Sequence, residues 1–231
     1  MKAESKKRLP THAARASAIV LDLDGPILDV RDRHYACYAR IVRELGAQAL
    51  PAAAYWNLKR AGRTPRDVFA RSADQERYPE FARRWLDLIE SPEALTLDRV
   101  HQGAKQWLEA SRSAGHELVL ATLRQNSHAL EEQLDRLDLT RFFDAVVACS
   151  PSAGAEGKAA RATQAAHHPV TLWIGDTELD ARAASIAGCR CALVTSGLRD
   201  ENYLRALNAG PVISSLSELK IDDSPLLRRE S

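Results

Sequence analysis

The sequence predicts a doubly wound, Rossmann-like parallel α/β sheet carrying an inserted α-helical unit, and three observations support it. Short continuous apolar runs alternate with helical patterns from about residue 105 onward, as expected of parallel strands buried on both faces and joined by crossover helices. Several of these runs lead into polar residues, at the strand ends where open α/β sheets bind their ligands. Between the first run and the second lies a long segment, residues 30–97, with helical punctuation and no strand pattern. A structureless excursion of that size is implausible inside a compact domain, so it is expected to fold as a unit of its own.

The opening residues 1–16 are polar and charged and are expected to form a disordered tail. The first strand is placed at 17–23, where the apolar run from Ser17 to Leu21 leads into Asp22-Leu23-Asp24-Gly25. Residues two apart on a strand share a face, so Asp22 and Asp24 address one spot while Gly25 lets the backbone turn sharply behind them. Asp29 stands at the junction with the insertion and reads as the N-cap of its first helix. Helical stretches are expected at about 30–46, 52–61, 65–73 and 79–91, punctuated by Gly62, Pro65, Pro79 and Pro92. The second strand, 117–122, closes on Thr122. The third, 145–149, is followed by a Ser/Pro/Gly-rich turn, by Gly157-Lys158 and by a helical stretch over 159–166. The fourth, 170–175, runs into Gly175-Asp176-Thr177-Glu178-Leu179-Asp180, whose two aspartates lie one helical turn apart. Strands at 191–195 and 211–213 complete the sheet. The catalytic core is thus expected to comprise 17–29 and 98–231, with 30–97 as the insertion.

Composition narrows the function without naming it. The chain has 231 residues, 45% of them apolar, enough for a well-buried core plus a small accessory unit. A formal net charge of +1 offers no electrostatic footprint for nucleic acid. No signal-peptide pattern and no run long enough to span a bilayer is present, so no membrane association and a cytoplasmic location are expected. Cys37, Cys149, Cys189 and Cys191 are read as free thiols.

Taken together, Asp22/Asp24, Thr122, Lys158 and Asp176/Asp180, in that order and each near a strand end, resemble the four motifs of the haloacid dehalogenase-like (HAD) hydrolase superfamily. The resemblance runs from about Ser17 to the last strands. The segment from Asp180 to Gly197 is similar to its phosphoglycolate-phosphatase-like members. This implies that the insertion is a helical cap over the active site. It further implies Mg²⁺ held by the Asp22 and Asp176 carboxylates and the Asp24 backbone carbonyl, with Asp180 acting mostly from behind. Asp22 would be the nucleophile that becomes an aspartyl-phosphate, and Asp24 the general acid and base. Lys158 would balance charge, and Thr122 would bind phosphoryl oxygens. True dehalogenases lack a carboxylate at the Asp24 position, since halide needs no proton to leave, so the expected activity is hydrolysis of a small phosphorylated metabolite. Pro26 stands where many members have Thr, Leu123 where many have Asn, and Lys158 lacks the Pro that commonly follows it. These departures bear on the substrate more than on the reaction class.

For substrate contacts, Arg124 lies close enough to Thr122 to reach a second anionic group. Lys59 and Arg60, beside Trp56, and His34, one turn past the junction, are the candidates in the insertion, with solvated or packed roles as the plainer reading. A phospho-receiver domain also uses Asp, Thr and Lys, but its acidic pair ends the first strand, its phosphorylated Asp comes later, and it has no large insertion. The Gly154-Ala-Glu-Gly157-Lys158 run has the wrong glycine spacing for a nucleotide-binding loop, and Ala159 replaces the required hydroxyl. A non-catalytic regulatory relative would have lost the acids. The nearest rival is a sugar phosphomutase, which shares all four motifs. The chain is expected to be a monomer or homodimer.

Overall fold

The computed structural model describes residues 17–220, so the tail expected over residues 1–16 lies outside the described residues. Strand β1 (Ala18–Leu21) turns tightly into a two-residue strand, β2 (Leu28–Asp29). Helices α1 (Arg31–Glu44), α2 (Ala52–Arg60), α3 (Pro65–Phe69), α4 (Tyr78–Ile89) and α5 (Pro92–Leu95) follow before β3 (Arg99–Val100) returns. The chain continues through α6 (Ala104–Ser113), β4 (Glu117–Leu123), α7 (Ser127–Arg136), β5 (Ala145–Cys149) and α8 (Gly154–Ala165). It ends with β6 (Val170–Gly175), α9 (Glu178–Ala187), β7 (Arg190–Val194), α10 (Glu201–Ala206) and β8 (Val212–Ile213).

Six strands form one parallel sheet in the order β5-β4-β1-β6-β7-β8. The chain builds outward from β1 to β5, then crosses back to lay β6 on the other side of β1. The strand order therefore reverses at β1, the place where such sheets open a crevice at their carboxyl ends. The apolar runs divide by the two-residue period of a strand. Ile19, Leu21, Leu118, Leu120, Leu172 and Ile174 face Trp107, Leu108, Leu130 and Leu134 of α6 and α7. Val20, Val119, Ala121 and Trp173 face α8 and α9, which present Ala155, Ala159, Ala162, Ala183 and Ala184. Small side chains on that surface let both helices pack close to the sheet.

The insertion leaves and re-enters the core through the antiparallel β2–β3 ribbon, pairing Leu28 with Val100 and Asp29 with Arg99. This ribbon escaped the sequence reading because two residues per arm are too few to show alternation. Within the insertion, Tyr38, Ile41, Val42, Tyr55, Phe69 and Phe81 form a separate core, with Tyr38 stacked on Tyr55 at 4.4 Å between ring centroids. The prolines that punctuate the sequence open helices, each standing in the first turn of α3, α4 or α5. Helix α3 stops at Phe69, short of the expected 73, and a single 3₁₀ turn at Gln75–Arg77 leads into α4. Asp29 is not an N-cap: Val30 holds that position, and the Asp29 carboxylate accepts from the Arg31 backbone N–H at 3.1 Å and from its guanidinium. Among the described residues no helix is long and apolar enough to cross a membrane. All four cysteines are free.

At the end of the sheet opposite the strand carboxyl ends, the Glu117 carboxylate ties the start of β4 to the loop before β6. It accepts the backbone N–H groups of His167 and His168, each at 2.8 Å, and lies 3.0 Å from both Nδ1 atoms. Burial would raise its pKa, but these donors hold it below the ordinary 4.5. A depressed carboxyl stabilises the fold fully above its unfolded pKa and loses that effect as pH falls through the lower folded value. Glu117→Gln should therefore destabilise the protein by about 1.5–3 kcal/mol at pH 7. The gap to wild type should close as the pH drops below 4.5, as urea titrations at a series of pH values would show.

Candidate active site

Three adjacent strands bring their carboxyl ends together here: Asp22 follows β1, Thr122 is the last residue but one of β4 and Asp176 follows β6. Lys158 reaches the same place from the first turns of α8. Asp22, Asp24, Thr122 and Lys158 line one cavity of about 270 Å³, with Arg124 and His34 in the same wall. Asp176 and Asp180 are fully buried beside Asp22. Gly25 makes the close approach possible: its φ is +100°, and a Cβ there would overlap the Asp176 carboxyl. The loop after β7 closes the other side, where the Ser196 hydroxyl donates to the Gly25 carbonyl at 2.8 Å and the Leu198 N–H donates to Asp176 Oδ2.

Lys158 Nζ lies 2.9 Å from Asp22 Oδ1 and donates to Asp180 Oδ1 at 2.7 Å. Asp180 is fully committed: Oδ1 also accepts from the Trp173 indole, and Oδ2 accepts from the Thr177 hydroxyl at 2.7 Å and the Thr177 N–H at 3.2 Å. Burial acts to raise it, but the Lys158 ammonium and these donors hold Asp180 below the ordinary carboxylate value. Asp22 and Asp176 lack such compensation. Burial, only partly offset by Lys158, pushes Asp22 up to about 7, and burial with the Asp22 and Asp180 charges pushes Asp176 well above its usual range.

These residues fit a divalent cation. Asp176 Oδ1 is a buried oxygen without a hydrogen-bond partner among the described residues, and Asp22 Oδ1 has only the Lys158 ammonium beside it. One carboxylate oxygen from each of Asp22, Asp176 and Asp180 lies within 4.8 Å of the others, a hard-oxygen donor set of the kind Mg²⁺ takes. The Asp24 carboxylate is not in this cluster, which leaves its backbone carbonyl as the group the resemblance assigned to the metal.

The Asp24 carboxylate is gripped by two guanidiniums. Arg33 Nη2 donates to its Oδ2 at 2.6 Å and Arg124 Nη2 to its Oδ1 at 2.7 Å. Burial opposes them, yet together they hold Asp24 far below the usual carboxylate range. Arg33 continues the chain, donating Nε to Asp98 Oδ1 at 2.9 Å, while Gln133 donates to Asp98 Oδ2 at 2.7 Å. Arg33 belongs to the insertion, Asp98 to its return and Gln133 to α7, so one buried network crosses from the insertion to the core. The sequence reading missed Arg33, Asp98 and Gln133. A signal for the first existed: Arg33, Cys37 and Ile41 form an i, i+4, i+8 stripe that is buried, and a charge on such a stripe needs a partner.

Of the expected substrate residues, Arg124 is neither solvated nor free but paired with Asp24. His34 lines the cavity with its Nδ1 unpartnered. Lys59 lines a neighbouring cavity. Arg60 lines neither: it donates to the Thr195 carbonyl at 2.8 Å, tying α2 to the loop after β7, because its side chain leaves the helix toward that loop.

Residues 19–194 match the family described as haloacid dehalogenase-like hydrolase. A phosphoglycolate phosphatase of Cereibacter sphaeroides is 32% identical over 198 residues, covering 78% of this chain and 86% of that one. Among solved structures, a haloacid dehalogenase-like family hydrolase from Streptococcus pneumoniae superposes with a TM-score of 0.73 at 19% identity, covering 88% of this chain and 96% of that one. A Thermotoga maritima protein assigned as a β-phosphoglucomutase gives 0.61 at 21% identity, covering 87% and 95%. At these identities the two structures speak to the fold alone.

Removing one partner of a buried ion pair strands the other charge, at a cost of about 3–5 kcal/mol. Arg33→Met should lose stability on that scale in urea unfolding, since Arg33 is 1% exposed and serves two carboxylates. Adding Asp98→Leu to Arg33→Met should recover part of the loss.

Proposed function

The chain belongs to the haloacid dehalogenase-like hydrolases, and from that premise we propose that it is a Mg²⁺-dependent phosphatase that hydrolyses a small phosphorylated metabolite through an aspartyl-phosphate on Asp22. The observation that carries this is the pairing in one cavity of a strand-end carboxylate set against a buried ammonium, Asp22 and Lys158, with a second carboxylate, Asp24, two residues on. Mg²⁺, when bound, supplies the positive charge that lets a phosphomonoester dianion approach an anionic nucleophile. Asp22, Asp176 and the Asp24 carbonyl would hold it, with Asp180 oriented behind them by Lys158 and Thr177.

In the first half-reaction an Asp22 oxygen forms a bond to phosphorus as the bond to the leaving oxygen breaks, and Asp24 gives that oxygen a proton. In the second, water attacks the aspartyl-phosphate, Asp24 takes the water's proton, and Asp22 and inorganic phosphate are released. In the free enzyme Arg33 and Arg124 hold Asp24 as a carboxylate, the form the second half needs. For the first half it must gain a proton, and the negative charge of an entering phosphate favours that by opposing the two guanidiniums. Lys158 remains cationic throughout: burial opposes its charge, but Asp180 and Asp22 raise its pKa further above neutrality. Thr122, in the wall of the same cavity, would bind a phosphoryl oxygen. The free thiols suit a reducing compartment, which supports a cytoplasmic location.

Phosphoglycolate, in the name of the Cereibacter relative, is the first substrate to assay. A phosphomutase reading is set apart by its product: conversion of a hexose 1-phosphate to the 6-phosphate instead of release of inorganic phosphate.

Asp22→Asn should reduce turnover to background, and rapid-quench mass spectrometry of wild type should find the phosphoryl group on Asp22. Undiminished turnover in the variant, or label on another residue, would overturn the mechanism. Asp24→Asn should slow alkyl phosphates by about 10²–10⁴-fold, and aryl phosphates with acidic leaving groups much less in the phosphorylation step. Chelation should abolish activity and Mg²⁺ restore it. Asp176→Asn should raise the Mg²⁺ concentration needed for half-maximal rate, because carboxylate charge dominates such affinity.

A further inference from the structure

A second cavity, of about 150 Å³, adjoins the catalytic one and shares His34 and Trp85 with it. Tyr38, Tyr55, Phe81 and Trp85 are in its wall, with Phe81 stacked on Trp85 at 5.9 Å between centroids. Lys59, Arg63 and Arg199 stand in the same wall, and no acidic residue is in the lining. The Arg199 charge is already matched by Glu178, which accepts from Nε at 2.8 Å and Nη2 at 2.7 Å. That of Lys59 is not: its Nζ lies 5.8 Å from the Trp85 ring centroid, and no carboxylate among the described residues forms an ion pair with it. Burial first, then the Arg199 and Arg33 charges, bring its pKa down to about 8 against the opposing pull of the Asp176 and Asp24 charges, so the ammonium persists at neutral pH without a carboxylate in contact with it among the described residues. At the junction of the two cavities His34 is 7% exposed, and its Nδ1 has no hydrogen-bond partner. Burial and Lys59 lower its pKa well below 6.5, leaving a neutral ring able to bond a polar atom passing between the cavities.

We infer that this second cavity receives the far end of the substrate, and that the substrate is a phosphomonoester whose alcohol carries a flat, aromatic-like body ending in one carboxylate held by Lys59. The inference rests on the phosphatase reading of the first cavity. A stack of rings favours a flat apolar body, as aromatic pairs gain beyond the area they bury. A single unmatched ammonium inside, with Arg63 exposed at the rim, matches the single charge of a carboxylate better than a second phosphate.

Titration calorimetry in Mg²⁺ with non-hydrolysable phosphonates tests the site independently of turnover. For wild type, 4-carboxybenzylphosphonate should bind about 10–100-fold more tightly than benzylphosphonate, the range expected for a hydrogen bond to a charged group. In Lys59→Met that preference should fall to within about threefold, and Lys59→Arg should keep most of it. Equal affinities in wild type, no detectable binding of the carboxylated probe, or a preference that survives Lys59→Met would overturn the site. Tighter binding of 1,4-xylylenebisphosphonate than of the carboxylated probe would overturn the carboxylate assignment. Should Lys59→Met fail to fold, the wild-type comparison and Lys59→Arg still decide. Lys59-dependent binding without phosphate release from 4-carboxybenzyl phosphate would defeat the phosphatase reading and leave the site standing. Release from benzyl phosphate with no preference for its carboxylated analogue would defeat the site alone.

Discussion

The constraint on which the structure turns is the burial of like charges at the end of β1. Asp22, Asp176 and Asp180 converge within a few ångströms, with one ammonium, Lys158, set between Asp22 and Asp180. Bringing carboxylates out of water costs free energy, and crowding them costs more, so the cluster is tolerable only if cations offset it. Lys158 balances one charge and the bonds to Asp180 settle a second. What remains, on Asp22 and Asp176, is visible as raised pKa values and as the unpartnered Oδ1 of Asp176. The same imbalance of charge favours a divalent cation within the cluster.

Much of the surrounding architecture serves that convergence. The sheet order reverses at β1, so the crevice lies over the middle of the sheet, with β4 and β6 as its walls. Gly25 lets the Asp176 carboxyl sit against the backbone, and the loop after β7 donates the Leu198 N–H to it. The alanine-lined surfaces of α8 and α9 pack close to the sheet, which brings Lys158 within reach of both acids.

A second charge network couples this centre to the insertion. Asp98, Arg33, Asp24 and Arg124 alternate in sign, and the chain they form runs from the base of the insertion to the strand end beside Thr122. A displacement of α1 that carried Arg33 away would leave Asp24 with one guanidinium instead of two and raise its proton affinity. Insertion position and Asp24 protonation are thus physically linked. Tyr38, Tyr55, Phe69 and Phe81 pack in an apolar cluster separate from those that cover the sheet.

The sequence by itself determined the parallel sheet, because strands buried on both faces must be continuously apolar, and the runs ending near Leu21, Thr122, Cys149 and Gly175 have that form. It also marked Asp22, Asp24, Thr122 and Asp176, which stand at or just beyond strand ends that the apolar runs reveal, whereas Lys158 and Asp180, inside α8 and α9, were marked by the order of motifs they share with the family. Tertiary structure alone decided the partners. Arg33 finds Asp98 across 65 positions, Arg124 finds Asp24 across 100, and Arg60 is spent on the Thr195 carbonyl. Lys59 and His34 acquire meaning only where α1, α2 and α4 enclose a cavity. The division follows from range: periodicity and turn chemistry act between near neighbours in the chain and can be read along it, whereas charge pairing depends on distance in space, which exists only once the chain has folded.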